Sequence, residues 1–361
     1  MTSALGSAPT GRDDRRARPT PAGGGGGGGG APGRGGGGGG GRARPAGQRV
    51  RPGRPGRPAP PPPPRGPPPR GGPPPAAGTG WLYVLPALVM YAVFVLRPLV
   101  LTLQYSLYDW NGIGVARWVG LDNYLTVFTD SDLLKIIGNA IVLIIFFSFI
   151  PVALGLLVAS MVRRITTGAF GTVVRTILFL PQVIPLVAAG IAWSWLLSSN
   201  GLVNQALRAV GLGGVARAWL GDFDTALPAV GVIGAWVLLG LCTILLVTGM
   251  SKIDPALYEA ARLDGAGPVR EFLAVTLPSL RQEIGVCLTV TIIAALASFD
   301  IVYISTSGGP GLQTTVPGLE IYRLAFSQRQ VGLASALAVV LMLLVLACVL
   351  PIQRLSRGEK P

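Results

Sequence analysis

The chain has 361 residues, of which 50% are apolar and only 13% charged, and it carries a formal net charge of +14. A soluble domain usually holds about 25% charged residues, so roughly half that level points to a membrane. The absence of histidine excludes imidazole metal sites and His-based acid, base or triad chemistry. Cys242, Cys287 and Cys348 all lie in apolar runs without close spacing and read as small buried hydrophobes, not as a disulfide framework or a thiolate metal site.

In chain order, residues 1–80 come first. They hold 13 arginines, two acids (Asp13 and Asp14), 26 glycines and 19 prolines, which accounts for +11 of the net charge. Runs such as Gly23–Gly30 and Pro60–Pro64 have no apolar face to bury, which predicts a disordered tail. Its arginines suit anionic lipid headgroups or nucleic acid; the plainer reading is a basic, low-complexity extension without a task. The tail lacks aromatic residues, which argues against a specific nucleic-acid partner. The first apolar run starts about 80 residues in and is too long for a secretory signal, and Arg15-Arg16 has no apolar stretch nearby.

From Trp81 onward six apolar stretches follow, near 82–105, 136–161, 173–197, 227–250, 284–305 and 331–352. Each reaches the roughly 20 residues that a helix needs to cross a bilayer. The loops at 106–135, 198–226 and 306–330 carry two Lys/Arg each. The alternate side has Arg163, Arg164, Arg175, Lys252, Arg262, Arg270, Arg281, Arg354, Arg357 and Lys360, on shorter loops, and the arginine-rich tail. The positive-inside rule places that side, with both termini, in the cytoplasm. The fold class expected is an all-α polytopic membrane protein with six transmembrane helices over 81–352, preceded by the disordered tail and followed by a short cytoplasmic end at 353–361.

The cytoplasmic segment 251–283 is punctuated as two short helices. Asp254 can cap the first, with Pro255 at the first helical position, where a missing N–H costs nothing. Good helix formers run to Leu263, and Gly265 can adopt the left-handed conformation that ends the helix. Pro268 restarts a helix through Leu277, and Pro278 is expected to interrupt it. Leu257, Ala260 and Ala261 fall on one side of the first helix. That helix is either a knob for a partner's groove or a surface helix that seals the bundle.

Glu259-Ala260-Ala261, then two residues, then Asp264-Gly265-Ala266, then Leu277-Pro278 resembles the EAA loop of the permease subunits of binding-protein-dependent ABC importers. Val119-Gly120-Leu121-Asp122-Asn123-Tyr124 is similar to an exposed segment of the carbohydrate-uptake permeases. Phe299-Asp300-Ile301-Val302-Tyr303 followed by Thr306, Gly308-Gly309-Pro310 and Thr314-Thr315 is similar to the region beyond the fifth span of the same permeases. These features look like the larger type of the maltose and glycerol-3-phosphate permease pair, over about 275 residues.

The resemblance implies an importer subunit for a sugar or sugar-like solute. Its implied partners are a second, homologous permease forming a heterodimer, a cytoplasmic ABC ATPase dimer, and an extracytoplasmic solute-binding protein. The helix Pro255–Leu263 would dock into the ATPase, with Glu259 making the charged contact or bracing the loop. Ala260 and Ala261 would permit close packing, Gly265 would set the turn beside Ala266, and Asp264 would brace it by hydrogen bonding. No G-x-x-x-x-G-K-[ST] loop is present, so ATP is expected on a partner subunit and no cofactor, metal or catalytic residue on this chain.

For the solute path, Thr291, Ala294, Ala295, Ser298, Val302 and Ser305 share one side of the fifth stretch at helical spacing. This hydroxyl-bearing stripe reads equally as a wet lining for sugar hydroxyls or as helix–helix packing. Asn139, Gln182 and Trp193 are further candidates, and Pro181 and Pro185 should kink the third stretch. An ion-coupled secondary transporter is the competing class, but it would place several ionisable residues deep in the spans, where Asp300 and Arg97 are nearly alone. An ABC permease for a non-sugar solute is the other alternative.

Overall fold

The computed structural model describes residues 79–165 and 169–356. The expected tail therefore lies outside the described residues apart from its last two positions, as do 166–168 and the chain end from 357. The described part is dominated by helices, which we number α1 (Tyr83–Tyr105), α2 (Asp122–Thr129), α3 (Ser131–Met161), α4 (Ala169–Val183), α5 (Leu186–Leu196), α6 (Leu202–Ala209) and α7 (Ala226–Met250). They continue as α8 (Pro255–Leu263), α9 (Pro268–Ser279), α10 (Arg281–Leu296), α11 (Asp300–Ser305), α12 (Pro317–Tyr322) and α13 (Val331–Ser356). One small antiparallel hairpin, β1 (Tyr108–Asp109) with β2 (Arg117–Trp118), pairs Tyr108 with Trp118 and Asp109 with Arg117.

Four helices, α1, α3, α7 and α13, are long and apolar enough to cross a membrane. The third and fifth apolar stretches are not single straight helices. Residues 176–183 of α4 meet α5 at a bend of 103°, and α9 meets α10 at 70°, so the number of crossing segments reaches six only if each bent pair is one span. The first bend falls where Ile184 precedes Pro185, a position at which the proline ring pushes its neighbour out of the helical region. The fifth stretch breaks a second time at 297–299, between α10 and α11, so 284–305 is two helices.

The interruption expected at Pro278 falls two residues on, at Leu280, where the chain turns 70° into α10. A single wide π turn spans Phe272–Thr276 just before the proline, and the helix runs on to Ser279. The same pairing recurs at Ala92–Leu96 before Pro98 and at Ile145–Phe149 before Pro151. A proline ring clashes with the carbonyl four residues back, here residues 94, 147 and 274, each at the centre of a π turn. Widening the turn there moves that carbonyl away and lets an apolar helix carry its proline.

α7 is the hub of the bundle and the most buried of the long helices. Its glycines admit neighbouring backbones: a Cβ at Gly234 would lie 2.0 Å from the Phe147 ring of α3, and one at Gly240 would lie 2.4 Å from the Leu178 carbonyl of α4. Around it Leu143, Phe147, Val230, Ile233, Leu296, Val302 and Leu319 form the main core. The packing also sorts the loops to two ends. Gly332 at the start of α13 touches Tyr108 of the hairpin, and Phe223 lies 3.5 Å from where a Cβ of Gly311 would be. At the other end Gly249 meets Glu283, and Gly285 meets Ser356. Loops 106–130, 198–225 and 306–330 thus share one end, and 251–283 shares the other with the close of α13.

Candidate functional site

At that second end, α8 is built by local hydrogen bonds. Asp254 Oδ1 accepts from the backbone N–H of Ala256 at 2.9 Å, and Pro255 occupies the first helical position. The close of the helix explains the spacing of the motif. Gly265 takes φ +74°, its N–H donates to Arg262 O at 3.0 Å, and the N–H of Ala266 donates to Ala261 O at 2.9 Å. This double bond pattern is a Schellman closure, in which the glycine supplies the left-handed residue. The last alanine of EAA and the last of DGA are therefore the two ends of one hydrogen bond. Asp264 is the residue at the C-cap: its N–H reaches Ala260 O, while its side chain is exposed.

The inward face of α8 holds it to α9. Tyr258, only 3% exposed, shares a 3.2 Å hydrogen bond with the Thr276 hydroxyl. One turn on, Arg262 Nε donates to the buried Glu271 Oε2 at 3.1 Å. These four residues escaped the reading of the motif; the spacing of Tyr258 and Arg262 at i and i+4 is the signal that placed them on one face. The outward face shows Glu259, Ala260, Leu257 and Leu263, the last 89% exposed, with Val269 and Leu273 of α9 exposed beside it. Ala261 is half-buried between the two faces. An exposed apolar patch with a carboxylate at its edge is the composition of a protein-docking surface. Lys252 and Glu283, 3.5 Å apart, tie the end of α7 to the start of α10 beside it.

The solute-path candidates fall in several settings. Thr291 and Ala295 are fully buried in the bundle, and Thr291 Oγ1 donates to Cys287 O at 2.8 Å. Ser298, 8% exposed, sits in the break between α10 and α11, and its Oγ has no hydrogen-bond partner among the described residues. Ser305 donates to Ile301 O at 2.6 Å. Asn139 is buried on α3, where its Nδ2 donates to the carbonyls of Leu312 and Thr315, both at 2.9 Å, and so fastens the 306–316 loop. Gln182, next to the α4–α5 bend, keeps a buried Oε1 without a partner among the described residues. Trp193 packs edge-on against Trp236, 5.5 Å between centroids. Ser148 and Thr289 also keep buried, unpartnered hydroxyls, and the sequence offered no signal for either. The six candidates are not brought into one lining; Asn139 is a loop clamp, and Thr291 and Ala295 are core.

The other end is held by the second motif. Asn123 Nδ2 donates to Ser106 O at 2.9 Å and Tyr108 O at 3.0 Å, and Tyr124 shares a 2.7 Å hydrogen bond with Ser106. Gly120 takes φ +60° to enter α2. Nearby, Arg323 donates to Ser307 O and pairs with Glu320 at 3.6 Å. Burial pushes the Glu320 carboxyl above its ordinary value, and Asp132 and Asp130 add to the rise, while Arg323 opposes it.

Residues 151–356 match the family of binding-protein-dependent transport system inner membrane components. The chain belongs to this family. The permease is 33% identical over 269 residues to the probable ABC transporter permease YurN of Bacillus subtilis, covering 74% of this chain and 92% of the relative. It is 32% identical over 290 residues to the diacetylchitobiose uptake permease NgcF of Streptomyces coelicolor, covering 75% and 81%. To the trehalose/maltose transport permease MalF of Thermococcus litoralis it is 32% identical over 293 residues, covering 79% and 95%. Its fold is similar to that of a chain in a bacterial ABC transporter that imports alginate, with a TM-score of 0.67, 24% identity, and 79% and 96% of the two chains covered. The permease is thus an inner-membrane component that works with a separate binding protein, and the EAA loop lies inside the matched region.

Proposed function

We infer that this chain is one membrane-spanning subunit of an ABC importer for a sugar or sugar-like solute, coupled to a separate ATPase through α8. The outward face of α8, held rigid by a cap, a Schellman closure and two side-chain bonds to α9, carries this reading. The relatives named for diacetylchitobiose and for trehalose and maltose support the solute class. A second homologous permease, an ABC ATPase dimer that binds ATP, and an extracytoplasmic solute-binding protein complete the machine. With six spans over 81–352, the fifth running through α10 and α11, both termini and the 251–283 loop with α8 and α9 lie in the cytoplasm, in keeping with the two ends of the packing. From Tyr83 to Val100 every side chain of α1 is exposed, a face open to lipid and to the second permease. Glu259, Ala260, Ala261, Asp264, Gly265 and Ala266 are the coupling residues. Ser298 and Gln182, with buried polar atoms to spare, fit a wet path better than Thr291, Ala295, Ser305 and Asn139, whose side-chain donors are occupied or absent.

The test substitutes Glu259→Lys and Gly265→Val and measures ATPase association and ATP-driven uptake of labelled disaccharide. Both should fall at least tenfold while the subunit stays in the membrane. Normal uptake with both residues changed would falsify the coupling assignment.

A further inference from the structure

α10 and α11 present two faces. One, with Thr291, Ala295 and Val302, is packed into the core. The other carries Val286, Val290 and Ile293 at steps of four and three on α10, Ala297 in the break, and Asp300 and Tyr303 three apart on α11, all six of them exposed. The first four suit lipid or a neighbouring subunit. Asp300 does not suit lipid, because an exposed carboxylate against hydrocarbon is expensive, and it has no ion-pair partner among the described residues. At its Asp300 end the stripe therefore faces water or a polar ligand.

That same end carries a wall of four aromatic rings. Phe299 and Tyr303 are stacked, 5.2 Å between centroids with 11° between planes. Tyr322 of α12 lies 5.6 Å from Phe299 and 6.0 Å from Tyr303, and Phe326 lies 5.3 Å beyond Tyr322. Gly318 allows the approach, since a Cβ there would be 2.9 Å from the Ser298 carbonyl. Tyr303, Tyr322 and Phe326 are exposed, the last 75%, and neither tyrosine hydroxyl has a hydrogen-bond partner among the described residues. Beside the wall, Ser298 adds its buried, unpartnered Oγ.

We propose that Phe299, Tyr303, Tyr322 and Phe326, with Asp300, form a stacking platform for a pyranose ring at the 306–330 end of the solute path, a site that rests on the sugar reading above. The electron-rich ring faces receive the C–H face of the sugar. Asp300, an acceptor only when ionised, takes hydroxyl donors at the sugar's rim, and each tyrosine hydroxyl both gives and accepts. The cavity of about 290 Å³ lined by Leu197, Val203, Trp219, Thr225, Pro228, Ala229 and Val232 offers a sugar much less: its one hydroxyl, on Thr225, already donates to Trp219 O at 2.9 Å.

The experiment uses the assembled importer in a host membrane and labelled maltose, trehalose, lactose and diacetylchitobiose as probes. Wild type should take up at least one of them in an ATP-dependent way; uptake of none overturns the sugar reading and the platform with it. For the sugar transported, Tyr303→Ala and Tyr322→Ala should raise KM about tenfold, with Tyr303→Phe and Tyr322→Phe within about twofold of wild type. An unchanged KM in both alanine variants overturns the platform and leaves the sugar reading standing. Independently, Phe326→Cys in a Cys348→Ser background, where Cys242 and Cys287 are buried, should react with a membrane-impermeant thiol reagent from outside, and excess sugar should slow that reaction. No reaction places the rings against lipid or the second permease, and a rate indifferent to sugar excludes a sugar site; either overturns the proposal.

Discussion

The loop that carries α8 and the loop that joins α11 to α13 are anchored on opposite plans. α8 bonds to its own neighbour in sequence: Tyr258 and Arg262 reach Thr276 and Glu271, 18 and nine residues on. The 306–316 loop is held from across the molecule, by Asn139 on α3, 173 and 176 residues away. The first arrangement makes α8 and α9 one locally bonded body. The second makes a lid that keeps its shape only while the bundle around it does. The hydrogen bonds thus separate a loop anchored to its own next helix from a loop anchored to the bundle.

Four substitutions sharpen or break that contrast. The largest effect is expected from Gly332→Ala, whose Cβ would lie 1.9 Å from Tyr108 O and would also disturb the bond from Gly332 N to Trp110 O. A loss of about 3 kcal/mol, seen as a lower melting temperature of the purified subunit, is expected, with the hairpin end opened to protease. Asn139→Ala should cost about 2 kcal/mol by leaving two loop carbonyls without their donor. Proteolysis within 306–316 should rise while binding of the ATPase to α8 stays as in wild type; equal damage at both ends would abolish the contrast. Tyr258→Phe keeps the buried ring and loses the bond to Thr276, so about 1 kcal/mol is at stake. Here uptake coupled to ATP should fall while protease resistance of the 306–316 loop is unchanged.

The smallest effect concerns pH. The folded Glu320 carboxyl sits above its ordinary value because it is buried, so the folded chain holds that proton more tightly than the unfolded chain does. Its contribution to stability is therefore fully present in acid and declines as pH rises from the ordinary carboxyl range through the raised value. Glu320→Gln should flatten that part of the stability–pH curve, with a difference of about 0.5 kcal/mol between its acid and neutral ends. Melting curves of wild type and variant between acid and neutral pH measure it; a variant with the same slope as wild type would remove Glu320 from the account.

What could be read from the sequence follows the range of the interactions. Asp254, Pro255 and Gly265 declared the boundaries of α8 because capping bonds span only two to five residues. The apolar stretches declared themselves by length. The break at 297–299 did not, since Ala297-Ser298-Phe299 contains neither glycine nor proline. Its neighbour is Gly318, which sits against the Ser298 carbonyl from a helix of its own. For the same reason Asn139 looked like a path residue: nothing near it in sequence announces a loop beyond position 310. Pro278 marked the corner at Leu280 to within two residues, but the π turn before it has no residue signature apart from the proline itself.

That π turn gives the loop a mechanical character. α8 is pinned through Tyr258 to Thr276, the last residue of the turn, and two residues later the chain reaches Pro278 and the 70° corner into α10. α8 is thus joined by one side-chain bond to a widened turn that ends four residues before the corner at Leu280. Beyond that corner α10 runs to Leu296, and the break at 297–299 carries Ser298 and leads on to the aromatic wall.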